Sequence, residues 1–194
     1  MVWRFRQIDE AVLLFLNHVG ADGMLRDIVI RLLATGLLYA LLAVVIYVSL
    51  KKDRSPQMLI VAVAGALVAG MVGKLLNQMV PRDRPFVALP DDVRHVALIV
   101  RPDSFPSIHA ATAFGLAGVV LLGYSGRWGA VMLGLALVMG AARVAAGVHW
   151  PSDIGGGMPI GVVVAALVVA AQRRYWPHPR RATATPAAKS GGCH

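Results

Sequence analysis

Residues 58–79 read MLIVAVAGALVAGMVGKLLNQM, a run interrupted by one charge, Lys74. A helix of about 20 apolar residues is long enough to cross the hydrocarbon core of a bilayer. Outward from this run, other segments of the same kind follow one another. Ile28–Leu50 precedes it, with Arg31 near one end, where a long side chain can reach the interface. Lys51, Lys52, Asp53, Arg54 and Pro56 separate the two runs. Further spans are expected at Ser107–Gly123, at Ala130–Val148 with Arg143 inside it, and at Ile154–Ala171, with Tyr124–Trp128 as a tight connection. The fold class expected is therefore all-α, a polytopic membrane bundle of about five transmembrane helices. Residues 4–19 repeat apolar side chains at helical spacing (Ile8, Val12, Phe15, Leu16, Val19) beside Arg4, Arg6, Asp9 and Glu10. That pattern predicts an amphipathic helix, lying in the interface or packed on the side of the bundle.

Composition agrees with this pattern. Of 194 residues, 57% are hydrophobic and 15% charged, and the mean hydropathy is +0.66. A soluble domain of this length carries more charge on its surface. The net charge of +9 follows the breaks between apolar runs and the tail, with no aromatic-interleaved basic stripe, so it speaks for membrane topology and against nucleic acid. The single cysteine, Cys193, cannot form an intramolecular disulfide. Asp9 and Glu10 stand where the apolar core of a signal peptide would be. No internal repeat is evident. The expected organisation is one membrane-embedded domain over 1–172, with the transmembrane bundle at 28–172, and a basic, disordered tail over 173–194. Lys51, Lys52, Arg54, Arg127, Arg173, Arg174, Arg180, Arg181 and Lys189 fall on one side, which the positive-inside rule makes cytoplasmic. The loop 81–106 and the turn His149–Asp153 then share the other side.

Three polar clusters meet on that second side: KLLNQMVPRDRP at 74–85, SFPSIH at 104–109 and RVAAGVHWPSDIGGG at 143–157. Arg84 and Arg143 carry planar donor forks suited to phosphate oxygens. Ser104–Ser107 opens a helix, where free N–H groups, the helix dipole and the Ser107 hydroxyl favour an anion. His109 and His149 are two imidazoles, of which one can attack phosphorus and the other protonate a departing oxygen. Asp153, four residues after His149, can accept the Nδ1–H of that ring. Six residues rotate an ideal helix by about 600°, so Arg143 and His149 do not share a face unless the helix ends near Gly147 or the arginine reaches around. A metal held by His109, His149 and Asp153 is the competing use of these side chains, but the arginines already place positive charge where it would sit. Each residue alone has an ordinary role, snorkelling or capping. Three clusters in order on one face point to function.

The clusters resemble the signature of the type 2 phosphatidic acid phosphatase superfamily, integral-membrane lipid phosphatases related in fold to vanadium haloperoxidases. The family pattern is K-x6-R-P, P-S-G-H and S-R-x5-H-x3-D. This chain offers Arg84–Pro85, Pro106–His109 and the run Ala142 to Asp153. The resemblance, over roughly residues 58–172, implies a metal-independent, cofactor-free phosphatase with a phosphohistidine intermediate. It makes His149 the nucleophile, Asp153 its orienter and His109 the general acid. It assigns Arg84, Arg143, Ser107, the Ile108 backbone and Lys74 to the phosphoryl group. Three positions depart from the pattern. Asn77 stands where the family has Lys, with Lys74 one turn earlier; Ile108 replaces Gly; Ala142 replaces Ser. The layout RDRPF followed by SFPSIHAAT is similar to the bacitracin-resistance type of undecaprenyl pyrophosphate phosphatases. That likeness implies a bacterial plasma-membrane enzyme that recycles a lipid carrier, with its site on the extracytoplasmic side and the C-terminus in the cytoplasm. Phosphatidylglycerophosphate, phosphatidate and lipid A phosphate are the alternative substrates. A non-catalytic transporter or binding protein for anions or lipid phosphates is the alternative of another class.

Overall fold

The computed structural model describes residues 2–20, 23–52, 56–96 and 103–177. Helix α1 covers Val2–His18. Helices α2 (Met24–Arg31) and α3 (Leu37–Tyr47) form one rod, joined by a π-helical turn at Leu32–Gly36 and followed by another at Val48–Lys52. Next come α4 (Pro56–Met79), the short α5 (Pro85–Ala88), α6 (Ile108–Gly123), α7 (Gly126–Ala145) and α8 (Pro151–Tyr175). Four stretches, Met24–Leu50, α4, α7 and α8, have the length and hydropathy to cross a bilayer, and α6 is a shorter apolar helix. The protein is a multi-pass helical membrane bundle.

Helix α6 is the axis of the bundle, packed against α4, α7 and α8. Its 16 residues span about 24 Å, less than a bilayer core. It is buried all round from Ala110 to Val120 except at Thr112, as expected for a helix without a polar face. Small residues make that burial possible. A Cβ on Gly161 of α8 would lie 2.5 Å from the Ala111 carbonyl oxygen, and one on Gly157 would lie 2.5 Å from that of Ser107. At these two positions backbone meets backbone, the close approach that small residues permit between membrane helices.

Helix boundaries differ from the expected spans for local reasons. Ser125 caps α7 by accepting from the Trp128 N–H at 3.5 Å, so the connection shortens to Tyr124–Ser125 and Arg127 lies inside the helix. Helix α7 stops at Ala145 because Gly147 adopts φ 73°, the left-handed conformation that ends helices. Helix α8 runs to Tyr175 and takes in the first three residues of the expected tail, with Arg173 bonded to the Leu122 carbonyl at 2.6 Å. Arg54, Arg101 and the tail over 178–194, with Arg180, Arg181, Lys189 and Cys193, lie outside the described residues.

Helix α1 is amphipathic as its periodicity predicts, but its apolar stripe faces outward. Phe15 is 69% exposed and Ile8, Val12 and Val19 are exposed with it, whereas Asp9, Leu13 and Asn17, four residues apart, point into the protein. The Asn17 amide bonds the carbonyls of Arg94 at 3.0 Å and Ala145 at 2.8 Å and accepts from the Arg94 N–H at 2.9 Å. In a lipid environment apolar side chains need no protein cover, while an amide and a carboxylate need partners.

Candidate active site

The C-terminal ends of α4 and α7 and the N-terminal ends of α6 and α8 meet at one end of the bundle, and the three polar clusters meet with them. Gly147 lets the chain leave α7 and turn back, so His149 lies beyond the helix while Arg143 is still inside it. This is how side chains six apart come together. Of the two routes open from the sequence, the chain takes the early helix end.

His149 and Asp153 are both buried. Nδ1 of His149 lies 3.3 Å from Oδ2 of Asp153. The other ring nitrogen, Nε2, lies 3.3 Å from Nη1 of Arg84. A guanidinium only donates, so Nε2 facing it carries the lone pair and Nδ1 carries the proton given to Asp153. That is the tautomer a nucleophilic imidazole requires. Nη1 of Arg84 also donates to the Val148 carbonyl at 2.6 Å, which pins the guanidinium against the turn. Arg84 sits in extended conformation just before Pro85, which opens α5.

Arg143 is buried in α7 and donates from Nη1 to the carbonyl of Ala34, in the π-helical turn, at 3.2 Å. Its Nε is buried without a hydrogen-bond partner. Such a donor inside a low-dielectric site favours an anionic acceptor. His109, in the first turn of α6, lies within electrostatic range of Arg143, His149 and Arg84. The structure therefore gathers His149, Asp153, Arg84, Arg143 and His109.

The remaining expected residues divide. Ser107 is the N-cap of α6, its hydroxyl accepting from the Ala110 N–H at 3.4 Å, a role worth about 1 kcal/mol. Its own N–H is taken by the Asp153 carbonyl at 3.0 Å, so the open donors of this helix end begin at Ile108 and not at Ser107. Pro106 accordingly precedes the cap and lies outside the first turn. The Ile108 side chain finds its room beside Gly73 of α4, whose Cβ would lie 4.0 Å from the isoleucine Cγ1. Ala142 belongs to an apolar cluster with Ile30, Ala34 and Val148. Lys74 is exposed on α4 and is not gathered with the buried cluster. Asn77, three residues on and 60° short of a full turn, points inward and bonds the Phe105 carbonyl at 3.1 Å.

Two residues that the sequence reading did not single out belong to this constellation. Nη1 of Arg82 lies 2.7 Å from Oδ1 of Asp153, and Nη2 lies 2.8 Å from Oδ2 of Asp9 on α1. Neither pairing leaves a spacing signal, since the partners are more than seventy positions apart.

Burial, then the positive charges of Arg143 and Arg84, hold the His149 imidazole well below its ordinary value of 6.5. The ring is therefore neutral at neutral pH. The folded state resists a proton that the unfolded state takes, so the stability this supplies is complete above 6.5 and lost as pH falls below it. His95, stacked on Phe86, is lowered by burial and by Arg84 and Arg31 and acts in the same direction. The melting temperature in detergent is expected to fall on acidification below about pH 6.5, and His149→Asn to flatten part of that slope. An unchanged slope in the variant would mean that the folded protein protonates the ring as readily as the unfolded chain does.

Comparison with known proteins gives the same direction. Residues 57–177 match the family model described as PAP2 superfamily. The bacitracin transport permease protein BcrC of Bacillus licheniformis is 28% identical over 91% of this chain and 83% of its own length. Decaprenylphosphoryl-5-phosphoribose phosphatase of Mycobacterium tuberculosis is 36% identical over 56% of this chain and 58% of its own. YbjG of Escherichia coli, assigned by its name to the undecaprenyl-diphosphatases, is 35% identical over 54% of this chain and 52% of its own. Among solved structures, LpxE of Aquifex aeolicus superposes with a TM-score of 0.65 at 23% identity, over 82% of this chain and 93% of its own, a likeness of fold. With the matched region covering α4 to α8 and both imidazoles, the chain belongs to the PAP2 superfamily of phosphatases.

Proposed function

We propose that the protein is a lipid phosphatase that releases phosphate from a polyprenyl diphosphate, undecaprenyl diphosphate in particular, at the extracytoplasmic face of a bacterial plasma membrane. The observation that carries this reading is the geometry at His149, whose lone-pair nitrogen faces Arg84 while the proton-bearing nitrogen faces Asp153. Nε2 attacks the terminal phosphorus in line, and a P–N bond forms as the bond to the leaving oxygen breaks. His109 gives that oxygen a proton. Water then attacks the phosphohistidine, His109 takes the water's proton, and the P–N bond breaks to release inorganic phosphate and restore both imidazoles. Arg84, Arg143 through its unpartnered Nε, and the N-terminal end of α6 hold the phosphoryl oxygens as charge spreads over them. These cations occupy the place of a Lewis acid, so the mechanism needs no metal.

The choice of lipid follows the RDRPF and SFPSIHAAT layout and the likeness to YbjG over half of the chain. The match to a decaprenyl-linked phosphatase favours a second reading, a phosphomonoester carried on a polyprenyl lipid. Phosphate release should be measured with undecaprenyl diphosphate, a polyprenyl-linked sugar phosphate, phosphatidylglycerophosphate, phosphatidate and lipid A phosphate, each with and without EDTA. The expected result is the highest kcat/KM on undecaprenyl diphosphate and no effect of EDTA. Activity lost to the chelator and restored by a divalent metal would overturn the mechanism. Binding of these lipids without phosphate release would favour a carrier.

A further inference from the structure

We propose that Arg82 and Asp9 are positioning residues of this reaction, Asp9 on α1 holding Arg82, Arg82 holding Asp153, and Asp153 holding the His149 ring. The inference rests on the phosphatase reading above and adds two residues and a helix to it.

The two oxygens of Asp153 have separate tasks. Oδ2 faces Nδ1 of His149 at 3.3 Å and accepts from the Trp150 N–H at 2.8 Å. Oδ1 accepts from Nη1 of Arg82 at 2.7 Å. A carboxylate held by one oxygen can swing about its last torsion, whereas one held at both cannot. The contact to the imidazole is longer than the bonds from Trp150 and Arg82, and the Ser104 side chain also bonds the carboxylate, so the alignment of the ring depends on these partners. Arg82 is in turn fixed on several sides. Nη2 meets Oδ2 of Asp9 at 2.8 Å, Nη1 also meets the Ser152 hydroxyl at 2.7 Å, and the guanidinium lies 5.3 Å above the Trp150 ring. Asp9 closes the loop, accepting from the Ser152 N–H at 2.9 Å and from its hydroxyl. The charges alternate along the chain Asp9, Arg82, Asp153, so no buried member is left uncompensated.

Asp9 does not dock α1 alone. Asn17, two turns later, bonds Arg94 and Ala145 on its own account. Loss of the Asp9 contact can therefore be separated from loss of the helix.

The test uses the full chain in detergent micelles with undecaprenyl diphosphate as the probe, and compares Arg82→Gln, Arg82→Lys, Asp9→Asn, the double variant Asp9→Asn/Arg82→Gln, and Asn17→Ala as a docking control. Phosphate release and melting temperature are recorded for each. Arg82→Gln is expected to lower kcat by about tenfold or more with KM nearly unchanged, as loss of a group that orients a catalytic residue does. Arg82→Lys should recover part of that rate, and Asp9→Asn should lose less than Arg82→Gln. The double variant should be no slower than Arg82→Gln alone, because both act through one arm. Asn17→Ala should lower the melting temperature and leave kcat close to that of the wild type. An unchanged kcat in Arg82→Gln, a loss confined to KM, or equal losses of kcat in Asn17→Ala and Asp9→Asn would each overturn the proposal. A wild-type protein that releases no phosphate from any lipid of the panel would sink the phosphatase reading, and this one with it. An active wild type with indifferent Arg82 variants would sink this one alone.

Discussion

Replacement of His149 by alanine is expected to lower kcat on every lipid phosphate by ~10⁴-fold or more, the scale seen when the nucleophile of a covalent mechanism is removed. Nε2 of His149 is the lone pair that Arg84 faces, and Asp153 is buried with both oxygens committed to donors. Arg84 keeps its bond to the Val148 carbonyl in the variant and Arg143 its bond to Ala34, so lipid binding should survive. The measurements are single-turnover phosphate release and a pull-down on immobilised lipid phosphate. Wild type quenched during turnover should carry acid-labile phosphate on the protein, and the variant none. Residual activity within tenfold of wild type would mean that water attacks directly and that the covalent step is wrong.

His109→Asn should give a different signature, one that depends on the leaving group. General-acid assistance is worth about 10²- to 10⁴-fold when the departing oxygen is basic, as in phosphatidate. It is worth much less when the departing group is itself a phosphate, as in a diphosphate. The selectivity of the variant should therefore shift toward undecaprenyl diphosphate and activated aryl phosphates. The second half-reaction also needs His109, to take a proton from the attacking water. With an aryl phosphate the variant should release a rapid burst of phenol followed by a slow steady state, and phosphohistidine should accumulate. A uniform loss across leaving groups, without a burst, would assign His109 to binding.

The spans, the three clusters and their meeting at one end were legible because each leaves a local mark. Apolar runs have a length, and R-x5-H-x3-D has a spacing. The role of Gly147 was half legible: the 600° mismatch between Arg143 and His149 demanded either a helix end or a long reach, and only φ at residue 147 decides between them. What the sequence hid is long-range. Asp9, Arg82 and Asp153 come from three distant segments and meet only because α1 turns its polar face inward. The periodicity of Ile8, Val12 and Phe15 reports a stripe but not which way it faces, and a bilayer reverses the answer that water would give. The Lys74–Asn77 question was likewise rotational. Both lie near the right turn of α4, and only Asn77 faces the bundle.

The contact between the first turns of α6 and α8 has one more consequence. Gly157 lies against the Ser107 carbonyl and the Ala110 Cβ while the Ser107 N–H bonds the carbonyl of Asp153, so the distance between these two helix ends is set largely by main chain. A side chain at residue 157 would force them apart. Divergence toward a new lipid must therefore run through the walls that meet the tail and the loop that meets the headgroup. A lineage can change its diet while the machinery that breaks the bond stays as it was.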